Sequence, residues 1–474
     1  MSTPASSTGP ASPYSARDAA AWTGGRLLQG DPDARFTGTS IDTRSVAAGE
    51  LFVALRGPNH DAHDFLAEAA ARGASGLLVE RVPEGAVLPP GTPVLVVGDT
   101  RQGLTALARG HRARFDGPVV GVTGSNGKTT TKEMCAAILC VAAPCGKTQG
   151  NLNNEIGVPL TLLRRRESDR SLVVEMGMNH RGEIAPLAAL ARPRVGIVTN
   201  VGTAHIEHLG SRENIALEKG DLVAALPSDG TAVLNADDPL CLTQGKRCRG
   251  RVLGFGSKGE IRAESARNLL GEGFAFELAT PWGRAPLRIR ALGATTIPNA
   301  LAAAGGALAA GASLDDVVTG LGRFSGVSGR MERLALSKGI VVIDDTYNAN
   351  PQSMENALRS LAELHGEGRA IAVLGDMGEL GETAVAGHDA MGRLAAELDV
   401  DLLVTLGERA ARIAEAARAA GLPPSRVHHA ADHTDAARRV LDRLQPNDWV
   451  LVKGSRSMRM ERVVAALVAQ YGER

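Results

Sequence analysis

The stretch GVTGSNGKTTTKEM, residues 121–134, decides the fold. The common phosphate loop reads G-x-x-x-x-G-K-[ST] and needs its first glycine at position 122. Position 122 here is Val122, and the glycines fall at Gly121, Gly124 and Gly127, ahead of Lys128 and Thr129. The apolar run at 118–124 is expected to be a buried strand, and KTTTKEMCAAIL a helix starting near Thr129. A strand, a glycine loop and a helix N-terminus in that order gather backbone N–H groups around an anion. Lys128 adds a point charge, and Thr129 a hydroxyl suited to Mg²⁺. A glycine-rich turn with an incidental Lys-Thr would leave this agreement unexplained. The stretch is a phosphate loop of variant spacing.

On either side of the loop, the 474 residues suggest about three domains. From about 15 to 115, short apolar runs such as LFVALRG and PVLVVGD alternate with helical patterns, as in a small α/β domain. Strands are expected at 171–177, 195–202 and 230–238, followed by short strands to about 290. SGVSGR, 325–330, reads as a linker. Beyond it GIVVIDD, AIAVLGDM, DLLVTLG and DWVLVKGS are each followed by a helical pattern, the rhythm of a doubly wound parallel sheet. Asp344, Asp345, Asp376, Glu408 and Lys453 stand at the C-terminal ends of these strands, the edge where open α/β sheets bind ligands.

Composition excludes several classes. Residues are 44% apolar, but no run approaches the ~18 apolar residues of a membrane span, so no membrane insertion is expected. The first residues lack a basic start and apolar core, so 1–14 reads as a disordered leader and the chain as cytoplasmic. Net charge is zero and aromatics are 3%, which argues against nucleic acid. The five cysteines, at 135, 140, 145, 241 and 248, have neither zinc-site nor disulfide-framework spacing. Only eight of 52 basic residues are lysines, so Lys128, Lys219 and Lys453 stand out.

The loop spacing resembles that of the Mur ligase superfamily, which includes folylpolyglutamate synthetases. So do TQGNLNNEIGVPLTLL (148–163), VVEMGMNHRGEI (173–184) and TNVGTAHIEHLGSRENIALEKGDL (199–222). VIDDTYNANPQSM (342–354), LGDMGELG (374–381) and VLVKGSRSM (451–458) extend the resemblance to the C-terminus, and SIDTRSVAAGELFVALRGPNHDAHDF (40–65) extends it toward the start. The resemblance implies an α/β chain of three domains. These are a UDP-substrate-binding domain (15–116), a central ATP-binding P-loop domain with a mostly parallel sheet (117–326) and a Rossmann-like domain (327–474).

It further implies a monomeric ATP-dependent ligase of peptidoglycan precursor synthesis, with UDP-N-acetylmuramoyl-tripeptide and D-alanyl-D-alanine as substrates. Another Mur-type amino acid ligase, or a folylpolyglutamate-synthetase-like enzyme, is the alternative. A P-loop module that switches without making a bond is a third, and it leaves Glu175, His205 and Lys219 unexplained.

Residue by residue, the resemblance assigns ATP to Gly124, Ser125, Asn126, Gly127, Lys128, Thr129, Thr130, Asn299, Arg330 and Asp345. It assigns substrate to Asp42, Thr43, Arg44, Asn151, Asn153, Asn154, Tyr347, Asn348 and Asn350. Lys128, Glu175, His205 and Lys219 carry catalysis. Two Mg²⁺ ions fall to Thr129, Glu175, His205 and a Lys219 carbamylated by CO₂. Read alone, Glu175 is a strand-end carboxylate, His205 a lone histidine, Lys219 a solvated helix lysine and Asp42-Thr43-Arg44 a turn. Lys453, Ser455 and Arg456 suit either a helix cap or an anion. One position departs: the family usually has His where this chain has Thr295, four residues before the retained Asn299.

The chemistry explains the residue types. A carboxylate acylates an amine only after gaining a good leaving group, and phosphoryl transfer from ATP supplies one as an acyl phosphate. Two like unit charges at ~4 Å repel by about 4 kcal/mol at an effective dielectric near 20, so cations must surround the transfer.

Overall fold

The computed structural model describes residues 11–472. Five core clusters hold it together, and the first runs without a break from Leu51 and Leu104 to Val119, Val174 and Leu222. The N-terminal α/β unit and the loop-bearing unit therefore share one core. Arg112 and His111 reinforce the joint from the helix Thr100–Ala113. Arg112 donates to the carbonyls of Ala191 and Arg192, and the His111 ring contacts the carbonyls of Ser12 and Leu162 at 3.0 Å.

Of the leader expected over 1–14, residues 1–10 lie outside the described residues, and 11–14 are not disordered. Ala11 and Ser12 donate to the carbonyls of Thr37 and Arg165, and buried Tyr14 bonds Thr39 Oγ1 at 2.7 Å. An aromatic residue that can bury its ring and satisfy its hydroxyl has no reason to stay in solvent.

The central sheet has six parallel strands in the order Arg251–Phe255, Thr231–Asn235, Val195–Val198, Val119–Thr123, Ser171–Glu175, Cys145–Lys147. Val119–Thr123 is buried on both faces, as its unbroken apolar pattern requires. The chain leaves it for the edge strand Cys145–Lys147, then returns to both of its sides. The ends of Ser171–Glu175 and Val195–Val198 therefore flank the phosphate loop, where ligands of open sheets bind. The strands expected at 171–177, 195–202 and 230–238 are all present but stop at Glu175, Val198 and Asn235. The stretch to 290 adds an antiparallel sheet of Arg262–Asn268, Phe274–Thr280 and Gly283–Ile289.

The C-terminal sheet runs Glu332–Ala335, Val341–Asp345, Trp449–Lys453, Ala370–Gly375, Leu402–Leu406, Val427–Ala430. Only its first strand is antiparallel. Both edge strands, Glu332–Ala335 and Val427–Ala430, lack an apolar run and were not expected. Helix Pro351–Leu364 starts where the pattern allows. Asn350 and Ser353 form a capping box, and Pro351 takes the first-turn position that needs no N–H.

Candidate active site

The phosphate loop is stitched from both sides. Asn126 N–H donates to Asn200 Oδ1 at 3.0 Å, and its carbonyl accepts from Thr199 Oγ1 at 2.5 Å and Asn200 Nδ2 at 3.1 Å. Gly124 has φ +153°, and a Cβ there would lie 1.8 Å from Thr199 Oγ1. Gly127 has φ +81° and precedes the helix Lys128–Ala142, and a Cβ there would meet Asn299 Oδ1 at 2.3 Å. Glycine is required at both places. Buried Asn299 thus backs the loop from the helix Thr296–Ala309, with Oδ1 3.4 Å from Thr131 Oγ1.

Lys128 folds over the loop and donates to the carbonyl oxygens of Gly124 at 2.8 Å and Ser125 at 3.4 Å. Burial pulls its pKa below the ordinary lysine value, against the attraction of Glu175. An incoming phosphate would replace two neutral carbonyls by an anion.

Glu175 ends its strand 2% exposed. Its Oε1 accepts from Asn153 Nδ2 at 2.8 Å, but its buried Oε2 has no hydrogen-bond partner. Lys132 Nζ stands 3.9 Å from that oxygen, donates to Thr148 O at 2.8 Å and pairs with Glu133 at 2.9 Å. A buried carboxylate oxygen left unsatisfied is costly unless a ligand completes it. Lys132, which sequence reasoning missed, is a fixed counter-charge. Full burial of a helix lysine has no signature in sequence beyond the scarcity of lysine here.

His205 adopts φ +62° and presents its ring to the same cleft. Its Nδ1 lies 2.8 Å from Glu379 Oε2, off the line of a hydrogen bond. Glu379, also missed from sequence, has φ +59°. The proximity to His205 holds its carboxyl below the usual range. Met331, at φ +52°, lines the cleft too. Each such non-glycine residue costs about 1–3 kcal/mol and persists only where the surroundings enforce it, as they do at functional sites.

The C-terminal unit closes the far wall. Asn350 Nδ2 donates to Asn126 Oδ1 at 2.8 Å, and Asn126 Nδ2 donates to Gln352 Oε1 at 3.1 Å. The guanidinium of Arg330 stacks on the Tyr347 ring, 4.1 Å from its centroid. Lys453 Nζ donates to Asp345 Oδ2 at 2.6 Å and to Asn348 O at 2.9 Å, so it is neither a helix cap nor a free anion site. Arg456 pairs with Glu461 across the start of the last helix, Glu461–Tyr471. Of the other polar strand ends, Asp344 turns inward to Thr346, Asp376 accepts from Ala410 N–H at 2.7 Å, and Glu408 is exposed. None of these three lines the cleft.

One cleft of about 570 Å³ gathers Ser125 through Thr130, Glu175, His205, Asn299, Arg330, Asp345, Tyr347, Asn348 and Asn350. Asn151, Asn153 and Asn154 line it as well, although Asn154 Oδ1 is occupied by Gly157 N–H at the start of the helix Gly157–Leu163. Thr295 is at the cleft and makes no side-chain cap to its helix.

Lys219 does not line the cleft. It is 1% exposed in the helix Arg212–Ala224, and its side chain has no hydrogen bond or ion pair among the described residues. Burial, helped by repulsion from Lys128, holds its pKa well below the ordinary value. Neighbouring Glu218 is used elsewhere, accepting the N–H groups of Gly182, Glu183 and Ile184.

Asp42, Thr43 and Arg44 also stand apart, in the turn after Gly38–Ser40. Arg44 there holds Asp42 in a two-pronged pair at 2.7 and 2.9 Å that lowers its carboxyl to about 2.

Could these residues hold Mg²⁺? Among the described residues no three His, Cys, Asp or Glu side chains form a ready cage. Magnesium, however, usually takes one or two carboxylates together with substrate phosphates and water. The unpartnered Glu175 oxygen, together with Thr129 and His205 lining the same cleft, fits that pattern.

Comparison with known proteins agrees with this geometry. Residues 122–307 match the Mur ligase middle domain, and 329–456 match the Mur ligase glutamate ligase domain. A UDP-N-acetylmuramoyl-tripeptide–D-alanyl-D-alanine ligase from Escherichia coli is 39% identical over 93% of this chain and 95% of its own. A MurF crystal structure from Acinetobacter baumannii superposes with a TM-score of 0.87 at 34% identity, covering 97% of this chain and all of that one. A MurF ligase from Thermotoga maritima in complex with ADP gives 0.79 at 28% identity, over 91% and 97% of the two chains.

Proposed function

The chain belongs to the Mur ligase family, and from that premise we propose how its cleft joins D-alanyl-D-alanine to UDP-N-acetylmuramoyl-tripeptide. The enzyme is an ATP-dependent ligase of peptidoglycan precursor synthesis. The observation that carries the mechanism is the meeting in one cleft of a phosphate loop, a carboxylate oxygen without a partner and a wall from the C-terminal unit.

In this reading the loop N–H groups and Lys128 grip the β- and γ-phosphates. The tripeptide carboxylate attacks the γ-phosphorus, forming an acyl phosphate and releasing ADP. The amine of D-alanyl-D-alanine then attacks the acyl carbon, and phosphate leaves with the oxygen that the carboxylate supplied. Lys128 follows the charge as it moves from the phosphate bridge to the leaving group. In the same reading Arg330, stacked on Tyr347, would serve the nucleotide and Asn348 the incoming dipeptide, while Asn350, its amide spent on Ser353 and Asn126, would act by holding the C-terminal unit to the loop. Contacts from Asn350 and Gln352 to Asn126 bring these groups to the loop and shield the acyl phosphate from water. Thr129, Glu175 and His205 would hold Mg²⁺, whose chemistry is to offset phosphate charge.

Lys219 takes a further part on this reading. Burial draws the pKa of this unpartnered amine well below the ordinary lysine value; in its neutral form it is a nucleophile for CO₂, and the carbamate, formed with loss of one proton, would be an anion suited to a second Mg²⁺. The functional units are 15–116 for the UDP substrate, 117–326 for ATP and 327–474 for closure. Asp42, Thr43 and Arg44 serve the first from outside the cleft.

The substrate assignment predicts that phosphate release from ATP requires both partners together. UDP-muramoyl tripeptide with D-alanyl-D-alanine should give sustained release, and either alone only a trace. Equal release with glutamate and a folate would refute the assignment.

A further inference from the structure

The contact between His205 and Glu379 joins two units of the chain. His205 follows the central strand Val195–Val198, whereas Glu379 follows the C-terminal strand Ala370–Gly375. The carboxylate approaches Nδ1 to 2.8 Å, and among the described residues the Glu379 side chain has no other close partner. Both residues hold left-handed backbone conformations, at φ +62° and +59°. An ordinary exposed ion pair contributes too little to keep two non-glycine residues there. The surrounding seam enforces the arrangement: Asn350 and Gln352 bond Asn126 nearby, and Gly381 sits against Glu207.

We infer that Glu379 is a positioning residue for the cation site, so that the C-terminal unit supplies the outer carboxylate that orients His205. The inference rests on the reading of Glu175 and His205 as metal ligands. A metal-binding histidine commonly donates its second ring N–H to a carboxylate, which fixes the tautomer and directs the other nitrogen at the cation. With the proton held on Nδ1 toward Glu379, the Nε2 lone pair is left for the cleft. At 2.8 Å the carboxylate is within reach of that proton, though off the line of a formed hydrogen bond. Since ligand and orienting carboxylate belong to different units, the site is complete only when the C-terminal unit stands against the phosphate loop. Metal binding and closure are then one equilibrium.

The full chain with a non-hydrolysable ATP analogue tests this, with Mn²⁺ as the probe and free Mn²⁺ read by electron paramagnetic resonance. Glu379→Gln keeps the shape and removes the charge. It should weaken Mn²⁺ binding about tenfold while leaving analogue binding without metal unchanged. His205→Ala should weaken Mn²⁺ at least as much, and the double variant no more than His205→Ala alone. Unfolding temperatures of all three variants establish that they fold. Unchanged Mn²⁺ affinity in Glu379→Gln beside a weakened His205→Ala overturns the inference and leaves the metal assignment standing. Additive losses in the double variant overturn it too. Unchanged affinity in His205→Ala instead removes the metal assignment itself.

Discussion

Lys128→Ala is expected to lower ligation about a thousandfold while leaving the protein folded. Among the described residues the lysine's side chain donates only to the loop carbonyls of Gly124 and Ser125, and the loop is held independently by Thr199, Asn200 and Asn299. Its removal deletes a charge that tracks the transferring phosphoryl group, so the loss should fall on kcat more than on KM. Arginine should rescue poorly. Its planar fork is larger than a compact ammonium and cannot occupy the same space inside the loop. Steady-state kinetics with a thermal unfolding curve for each variant checks this. Near-normal turnover in Lys128→Ala contradicts the assignment of the loop.

The second large effect concerns Lys219. Removing the side chain should reduce turnover about a hundredfold, equivalent to roughly 2.7 kcal/mol of transition-state stabilisation. Added short-chain carboxylic acids should restore part of it by standing in for the carbamate in the vacated space. The direction follows from the site. A 1%-exposed amine near Lys128, with its pKa well below the ordinary value, is poorly suited to remain a cation. The intact protein should carry the added mass of one CO₂ on this residue. Full activity of Lys219→Ala, or of native enzyme depleted of CO₂, sinks the carbamate.

The sequence made the loop and sheet legible because local signals agree there. Val119–Thr123 is apolar throughout, Gly124 and Gly127 occupy conformations and spaces closed to other residues, and Lys128 follows at once. Edge strands were harder to see. Glu332–Ala335 and Val427–Ala430 are partly solvated and have no core-facing run to mark them.

At the site, the phosphate loop stood out from its own residues, Glu175, His205 and Lys219 were legible only through the family resemblance, and Glu379 and Lys132, which meet their partners across the fold, were not found. Glu379 has meaning only beside His205, and Lys132 only beside Glu175 and Thr148. The polar strand ends divide for the same reason. Asp345 meets Lys453 at the cleft, while Asp376 spends its carboxylate on a neighbouring turn. Tyr14 makes the point for the leader, since its partners Thr39 and Phe36 lie on the chain that follows.

The central claim is that the cleft activates a carboxylate by moving a phosphoryl group onto it. Isotope transfer tests that most directly. UDP-muramoyl tripeptide carrying a heavy oxygen isotope in its terminal carboxylate is incubated with enzyme, ATP and D-alanyl-D-alanine, and the released phosphate is analysed by mass. The account predicts one heavy oxygen in the phosphate for each amide formed and none in ADP. Phosphate that draws its new oxygen from water, with amide still accumulating, would contradict it.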